Sequence, residues 1–267
     1  MTDAVPTTSR RVLVAGNWKM HHTHLEAIQV VRKLCLRLQD SRSLDVLDVS
    51  VHPSFIALRS VQTVLESEES RVALGAQNCH SADSGAFTGE VSPGMLAKLN
   101  VSYVIIGHSE RRQMCSESDE VVRAKAEAVL RHQMIPIACV GETLDERERG
   151  EMVQKITGQM SALVKGLRPA FAQRMVFAYE PIWAIGTGRT ATAENAEQVC
   201  SVIREVIGLE AGSEAAESAR ILYGGSVKAA NAAELVAARN VDGLLVGGAS
   251  LDPDEFARVV SEAGTTC

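Results

Sequence analysis

The feature that most constrains the fold of this chain is a regular alternation of short apolar runs with segments of helical periodicity. Eight apolar runs occur along its 267 residues, and a helix-type segment follows each one. Because the runs are nearly continuous in apolar residues, they are typical of parallel strands that are covered on both faces. The predicted strands are Val12 to Gly16, Val46 to Val51, Val72 to Ala76, Val101 to Ile106, Ile135 to Val140, Met175 to Tyr179, Ile221 to Tyr223 and Gly243 to Val246.

The segments between the strands each carry one apolar stripe at helical spacing. Thr192 and Ser118 precede acidic first turns, so we predict that their hydroxyls cap two of these helices. Strict alternation with short connections predicts an α/β fold with a parallel sheet and helical crossovers. Eight units suit one closed (β/α)8 barrel over residues 11–267, after a disordered polar tail at residues 1–10. An open doubly wound sheet is the alternative, since periodicity does not show whether the first and last strands meet.

Composition and charge argue against several classes of function. The chain has 27 basic and 33 acidic residues and a formal net charge of −6, and no stripe of Lys and Arg could follow a nucleic-acid backbone. No apolar stretch reaches the roughly 18 residues that a membrane span needs. The polar N-terminus lacks the apolar core of a signal sequence, which predicts a cytoplasmic protein. No Cys-x-x-Cys pair occurs, and the histidines around His22 have no partner at metal-ligand spacing, so no metal site is expected.

In α/β folds the chemistry gathers at the carboxyl ends of the strands. Three of the predicted strands run into an ionisable side chain there, namely Lys19 after strand one, His108 after strand four and Glu180 after strand six. Strands seven and eight end instead in the glycine pairs Gly224-Gly225 and Gly247-Gly248. Paired glycines let a backbone approach an anion closely and donate N–H groups to it. These pairs therefore predict a phosphate site opposite the three ionisable groups.

Five motifs in register resemble the triosephosphate isomerase family. They are Asn-Trp-Lys-Met from Asn17, Gly-His-Ser-Glu-Arg-Arg from Gly107, Tyr-Glu-Pro-Ile-Trp-Ala-Ile-Gly-Thr-Gly from Tyr179, Tyr-Gly-Gly-Ser-Val from Tyr223 and Val-Gly-Gly-Ala from Val246. The resemblance spans Val12 to about Val260. It implies a single-domain TIM barrel that interconverts dihydroxyacetone phosphate and D-glyceraldehyde 3-phosphate through an enediolate, in glycolysis and gluconeogenesis. It implies no cofactor and no metal, because the reaction consists of two proton transfers.

The resemblance also implies roles for single side chains, which are the known roles of the family. Glu180 resembles the base, and His108 resembles an electrophile that is neutral because a helix N-terminus lowers its pKa. Lys19 supplies positive charge to the phosphate and to the developing oxyanion, and Glu110 supports Lys19. Cys139, buried at the end of strand five, has a supporting role beside the base. The residues expected to bind the substrate are Asn17, Lys19, Gly186, Ser226, Gly247 and Gly248.

Two loops carry further expectations from the same resemblance. The segment after Glu180 resembles a mobile lid that closes over the phosphate and protects the intermediate from water. Its residues are Pro181, Ile182, Trp183, Ala184, Ile185, Gly186, Thr187, Gly188, Arg189, Thr190 and Ala191. The loop Asn78 to Glu90 resembles one that inserts into a neighbouring subunit near Lys19, which implies a homodimer. An exposed Phe87 between glycines would be an odd loop tip on a monomer.

Other interpretations of the same residues were weighed against this one. The segment 107–111 is similar to the Gly-x-Ser-x-Gly elbow of hydrolases, but Arg111 replaces the second glycine. The segment 186–190 is similar to a P-loop, but Arg189 stands in place of its lysine and Trp183 in place of its first glycine. Within the family pattern two alternatives stay open. One is an isomerase of a four-carbon ketose phosphate, and the other is a non-catalytic barrel that binds a phosphate ligand or a protein partner.

Overall fold

The computed structural model describes residues 10–39, 41–185 and 191–266, and its centre is a closed barrel of eight parallel strands. Each strand pairs with the next one along the chain, and β1 also pairs with β8. Closure confirms the predicted (β/α)8 barrel and excludes the open sheet. The strands are β1 (Val12–Asn17), β2 (Leu47–His52), β3 (Ala73–Ala76), β4 (Tyr103–Ile106), β5 (Ile135–Val140), β6 (Val176–Tyr179), β7 (Arg220–Tyr223) and β8 (Gly243–Val246).

Helices connect the strands. They are α1 (His24–Leu38), α2 (Ser43–Val46), α3 (Leu58–Ser67), α4 (Pro93–Ala97), α5 (Ser109–Met114), α6 (Asp119–Arg131), α7 (Leu144–Glu148), α8 (Met152–Val164), α9 (Pro169–Ala172), α10 (Ala193–Ala211), α11 (Ser213–Ser218), α12 (Ala229–Val236) and α13 (Pro253–Gly264). Short 3-10 turns occur at Phe55–Ala57, Ile182–Ala184 and Gly248–Ser250. Thr192 accepts from the Asn195 N–H and Ser118 from the Val121 N–H, which confirms both predicted caps. Within the described ranges, no helix has the length and apolar character to cross a membrane.

Both faces of the sheet are apolar. Alternate residues of a strand point to opposite faces. The inner face forms a core within the barrel from residues such as Leu13, Ile105 and Leu222. The outer face, with residues such as Val14 and Ile106, packs against the helices in a second and larger core. This double burial explains why the predicted strands lack polar alternation, and it leaves the strand ends as the place for polar side chains.

The strand boundaries differ from the predicted ones by at most two residues. Val46 ends the short helix α2 instead of starting β2. Strand β4 starts at Tyr103, because the N–H of Val101 donates to a carbonyl of α4 and belongs to the end of that helix. Differences of this size arise where a residue that is apolar enough for a strand forms its backbone hydrogen bond with a neighbouring helix instead.

The first described residue is attached to the barrel wall. Of the predicted tail at residues 1–10, residues 1–9 lie outside the described part of the chain. Arg10 forms an ion pair of 2.6 Å with the buried Asp242, which also accepts from Arg204 at 2.5 Å. Asp242 precedes β8 and accepts from the N–H of Ile221 in β7, so the ion pairs lie where β7 and β8 begin.

His52 is a fully buried histidine at the end of β2, and its ring fits because residue 75 on β3 is glycine. A Cβ atom at Gly75 would lie 2.2 Å from the ring. The His52 Nδ1 lies 3.1 Å from Ala76 O, and Nε2 lies 3.0 Å from Ser50 Oγ. Since a carbonyl only accepts, Nδ1 carries the proton and Nε2 accepts from the hydroxyl. Burial lowers the pKa of His52 to about 4, so the ring is neutral at physiological pH.

We expect acid to destabilise the barrel through His52. Its pKa is about 4 in the folded chain against an ordinary 6.5, so between these values the unfolded chain binds a proton that the folded chain does not. The contribution of His52 to the free energy of unfolding is greatest above the ordinary pKa and falls by about 3 kcal/mol in total towards the lower one. Urea unfolding across this pH range measures it. The control is His52→Asn, which does not titrate. Equal pH slopes in the two proteins would contradict the assignment.

Candidate active site

A cavity of about 650 Å³ opens at the carboxyl ends of the strands. It brings together the ionisable side chains predicted from strands one, four and six, and it faces the glycine-rich ends of β7 and β8. Its lining includes Asn17, Lys19, His108, Glu180, Ser226, Gly247 and Gly248. Over the described part of the chain, no three His, Cys, Asp or Glu side chains are grouped so that they could hold a metal ion. The described residues of the cavity supply a carboxylate, an imidazole, ammonium groups and glycine-rich backbone.

Lys19 follows β1 and has a left-handed backbone, with φ of 51°. This conformation costs a residue other than glycine about 1 kcal/mol or more, so neighbouring groups must hold it. Asn17 Oδ1 accepts from the Lys19 N–H at 3.1 Å, and Gln77 Nε2 donates to Lys19 O at 2.8 Å. Lys19 Nζ lies 2.5 Å from Glu110 Oε1, and its Cε lies 3.6 Å from where a Cβ at Gly247 would be. The ammonium group is thus held between a carboxylate and the glycine end of β8.

His108 is the N-cap of the short helix α5, which begins at Ser109 and provides the helix N-terminus that the resemblance implied. Its Nδ1 accepts from the Glu110 N–H at 3.2 Å, so Nδ1 carries no proton in this arrangement. Nε2 faces Glu180 Oε1 at 2.9 Å and is the nitrogen that donates. The helix start thus selects the tautomer and aims an N–H group at the carboxylate.

Glu180 is 2% exposed and is held by two donors. Oε1 contacts His108, and Oε2 accepts from the Ser109 N–H at 2.8 Å. Burial by itself would raise the pKa of this carboxyl. The contact with His108, the Ser109 N–H and the more distant Lys19 together outweigh burial and hold the pKa of Glu180 below its ordinary 4.5. The side chain is therefore a carboxylate at neutral pH and can accept a proton.

The predicted lowering of the His108 pKa is wrong while Glu180 contacts the ring. Burial lowers this pKa, but the carboxylates of Glu180 and, to a smaller extent, Glu110 outweigh burial and raise the pKa of His108 above its ordinary 6.5. The prediction took account of the helix N-terminus and not of the facing carboxylate. A group that separated the two side chains would remove the main raising influence. Burial, Lys19 and the helix N-terminus, which lower the pKa, would then remain against the smaller raising influence of Glu110.

Two glycines make the space that Glu180 occupies. A Cβ at Gly141, directly after β5, would lie 1.9 Å from Glu180 O, and a Cβ at Gly224, directly after β7, would lie 3.1 Å from Glu180 Cγ. Cys139 lies inside the barrel beside the same carboxylate. Burial and then this carboxylate raise the pKa of the Cys139 thiol well above its ordinary value. The thiol therefore stays protonated, and Cys139 is fully buried, as predicted.

The predicted anion-binding residues Ser226, Gly247 and Gly248 line the side of the cavity formed by β7 and β8. A Cβ placed at Gly248 would meet no atom within 4 Å, so its backbone faces open space. Lys228, an exposed residue, also lines the cavity and carries a second positive charge. Gly186, the remaining predicted backbone donor, lies outside the described residues.

The predicted lid is described at its two ends, Pro181 to Ile185 and Ala191. The lid residues outside the described part are Gly186, Thr187, Gly188, Arg189 and Thr190. At the leading end, Ile182–Ala184 forms one turn of 3-10 helix. Ser226 Oγ donates to Ala184 O at 3.1 Å, which joins this turn to the predicted phosphate side of the cavity.

Glu142 is a fully buried carboxylate that fixes the leading end of the lid. Its Oε1 accepts from Trp183 Nε1, from the Tyr179 hydroxyl and from Arg147, each at 3.0 Å. Burial and then Glu142 raise the pKa of Tyr179, so this hydroxyl stays a donor. Since Tyr179 directly precedes Glu180, the lid and the predicted base share one buried support.

The predicted interface loop, Asn78 to Glu90, is held along its length and exposed at its tip. Asp83 accepts from Arg131 at 3.1 Å and contacts His132 Nε2 at 2.7 Å, which attaches the loop to the end of α6. Phe87, at the tip, is 46% exposed. The large apolar side chain is therefore presented by an anchored loop.

Sequence reasoning missed four residues that hold the site. Gln77 supports Lys19, Gly141 makes room for Glu180, and Glu142 supports the lid. Arg112 donates to Gly107 O at 2.9 Å and to the carbonyl of residue 139 at 3.3 Å, and so joins the ends of β4 and β5. The signal that selects Lys19, a polar residue within two positions of a strand end, is equally present at Gln77 and Glu142.

Comparison with known proteins identifies one family along almost the whole chain. The family model described as triosephosphate isomerase matches residues 12–263. A triosephosphate isomerase of Mycobacteroides abscessus is 49% identical over 251 residues, which is 94% of this chain and 96% of that protein. A relative of the same name from Saccharopolyspora erythraea is 49% identical over 96% of this chain and 97% of its own length. One from Streptomyces coelicolor is 48% identical over 95% and 98% respectively.

We expect Gly141→Ala to disable the site while leaving a folded barrel. The new Cβ would lie 1.9 Å from a backbone oxygen of Glu180, so the Glu180 segment must move. A displacement of about 1 Å at a reacting group lowers kcat/KM by roughly 100-fold. Steady-state kinetics and circular dichroism measure the two effects. Gly158→Ala in α8, where a Cβ meets no atom within 4 Å, is the matched control. Unchanged kinetics in both variants would show that Gly141 does not position Glu180.

Proposed function

The chain belongs to the triosephosphate isomerase family, and from this premise we propose that the cavity at the strand ends is the site where dihydroxyacetone phosphate and D-glyceraldehyde 3-phosphate are interconverted. The observation that carries the proposal is the contact of 2.9 Å between Glu180 Oε1 and His108 Nε2. It places an ionised base opposite an N–H donor in a cavity that also contains Lys19. These are the groups that moving a proton between two adjacent carbons requires.

Glu180 acts as the base in this proposal. Its carboxylate takes a proton from one substrate carbon, and the electron pair moves onto the adjacent carbonyl oxygen to give an enediolate. The hydroxyl proton of the enediolate passes from one oxygen to the other, the carboxylic acid returns its proton to the neighbouring carbon, and the carbonyl forms on the oxygen that gave up its proton. No electron leaves the substrate. The low pKa of Glu180 keeps the carboxylate ionised before the first step, and burial strengthens the base once the substrate displaces its other partners.

His108 donates to the oxygen on which the charge develops. The substrate must enter between His108 and Glu180 and break their contact of 2.9 Å. The main influence that raises the His108 pKa is then removed, and burial, Lys19 and the helix N-terminus oppose the smaller raising influence of Glu110 and favour the neutral ring. A neutral imidazole stabilises the enediolate through Nε2–H without giving up its proton to solvent. The contact seen in the structure is thus the one that substrate binding replaces.

The phosphate lies against β7 and β8 in this proposal. The backbone N–H groups of Ser226, Gly247 and Gly248 donate to it, with Gly186 of the lid expected to join them. Lys19 Nζ, held near Gly247 by Glu110, supplies the positive charge. Donation from backbone groups avoids burying several cationic side chains in a small cavity. Asn17 completes the substrate contacts beside Lys19.

The lid closes over the bound substrate. Its leading turn is held by Glu142 through Trp183 and by Ser226 through Ala184, and these contacts lie next to the base and the phosphate side. Closure excludes water, which would otherwise promote loss of the phosphate group from the enediolate. Cys139 stays a neutral thiol beside Glu180 and supports the base without adding charge.

We propose a homodimer through the loop Asn78 to Glu90, in the cytoplasm where glycolysis and gluconeogenesis take place. Support comes from large apolar side chains that are exposed in the segments following β1, β3 and β4. Met20 is 95% exposed, Phe87 46%, Met95 61% and Met114 83%. A second copy of the chain would cover side chains such as these, since exposed apolar residues that form a patch on a soluble protein mark association sites.

We expect Glu180→Gln to abolish isomerisation and to leave phosphate binding intact. The amide cannot accept the substrate proton, so kcat should fall by roughly 10³-fold or more. In this proposal inorganic phosphate binds to backbone N–H groups and Lys19 and not to Glu180, so its dissociation constant should stay within a factor of about two. A coupled kinetic assay and an NMR titration measure the two quantities. Glu214→Gln, the same change on the exposed helix α11, is the control. Retained turnover in Glu180→Gln would contradict its role as base.

The unmodified protein provides the reference for this measurement. Its kcat/KM for glyceraldehyde 3-phosphate should exceed that for tetrose and tetrulose phosphates. A preference for the four-carbon pair would keep the mechanism and change the substrate. Absence of turnover with every one of these phosphates would support a barrel that only binds.

We expect Phe87→Asp to weaken the homodimer. The exposed ring would be replaced by a charge that a partner surface must desolvate, at a cost of a few kcal/mol. Sedimentation velocity should show a dimer for the unmodified protein and a larger monomer fraction for the variant. Leu209→Asp on α10, at a side chain that is 79% exposed, is the control and should not change the sedimentation coefficient. A monomeric unmodified protein would overturn this part of the proposal.

A further inference from the structure

The ends of β2 and β3 are joined by a side chain and not by the backbone. The ladder between the two strands pairs Ser50 with Ala73 and Val51 with Leu74. Beyond these pairs the ring of His52 links the two strands, because its Nδ1 donates to Ala76 O at 3.1 Å. A histidine at this point therefore fixes the distance between the two strand ends where the main-chain ladder has stopped.

The ring itself is immobilised on both nitrogens. Nε2 accepts from Ser50 Oγ at 3.0 Å, and the space for the ring comes from Gly75, where a Cβ would lie 2.2 Å away. In the neutral ring Nδ1 donates and Nε2 accepts, and burial keeps the ring neutral, since it lowers the pKa of His52 to about 4. The His52 ring is thus held in one orientation by two hydrogen bonds at physiological pH.

A second set of hydrogen bonds returns from β3 to β2 and reaches the site. Gln77 follows Ala76, and its Nε2 donates both to His52 O and to Lys19 O, at 2.8 Å each. The N–H of Trp18 also donates to His52 O, at 3.1 Å. These contacts form a closed cycle, which runs from the His52 ring through Ala76 O and the Gln77 side chain to His52 O. Lys19 is attached to this cycle through Gln77.

Lys19 needs such a support because its φ of 51° is unfavourable for a residue with a side chain. If the cycle opened, Gln77 would lose its fixed distance to Lys19 O, and the backbone of Lys19 could relax. Its Nζ would then move away from Gly247 and the predicted phosphate position.

We propose that His52 is a positioning residue for Lys19, which it holds in place for the phosphate through Ala76 O and the side chain of Gln77. The inference rests on the proposed function in so far as Lys19 is taken as the phosphate-binding cation. It does not depend on turnover, because phosphate binding can be measured directly.

The test is an NMR titration of the full-length protein with inorganic phosphate. His52→Leu removes both ring hydrogen bonds and should raise the dissociation constant by roughly tenfold, the value of one charge-assisted contact. In a Lys19→Ala background the same change should have no further effect, since the cation that His52 positions is absent. An equal effect of His52→Leu with and without Lys19 would overturn the proposal.

Two further variants separate positioning from general stability. His52→Asn keeps a donor at the position of Nδ1 and should restore most of the phosphate affinity. Val51→Ala truncates a buried neighbour without touching the cycle, and it should lower the free energy of unfolding while leaving the dissociation constant unchanged. If Val51→Ala weakened phosphate binding as much as His52→Leu, the role of His52 would be structural only. If the unmodified protein bound phosphate but had no isomerase activity, the proposed function would fail and this inference would not.

Discussion

The closed ladder of eight parallel strands is the constraint on which the rest of the structure depends. All strands run in the same direction and β1 pairs with β8, so every strand delivers its last residue to one rim. Closure requires apolar side chains on both faces of the sheet, and the two cores supply them. Polar residues that neither core accepts are collected at the rim. The separation of Lys19, His108 and Glu180 in space is therefore set by strand order and not by their separation in the sequence.

At this rim the protonation state of a side chain depends on the groups that contact it more than on the number of charged residues nearby. Glu180 is enclosed by apolar strands, and one imidazole, one N–H group and the more distant Lys19 together keep it ionised. The same enclosure makes each contact strong, because little solvent competes with it. Gly141 and Gly224 provide the space for this arrangement. The site is therefore defined by missing side chains as well as by the side chains that carry its chemistry.

Much of the fold followed from local patterns in the sequence. The predicted strands agree to within two residues, and the ends of three of them supplied the side chains that meet in the cavity. What could not be predicted depends on contacts between distant strands. The raised pKa of His108 comes from Glu180 on another strand end, and the need for glycine at residue 141 comes from the Glu180 backbone. The left-handed backbone of Lys19 has no signature in the sequence around it. The roles of these residues, the lid centre at 186–190 and the dimer stay predictions.

The fit of the His52 ring over Gly75 also restricts the order in which this sequence can change. A histidine at residue 52 fits the barrel only if residue 75 is already glycine. A larger residue at 75 fits only after the side chain at residue 52 has become small. The two positions lie on neighbouring strands, yet the barrel tolerates substitutions at them in one order and not in the other. A library that varies either position alone would miss combinations that become available when both are varied together.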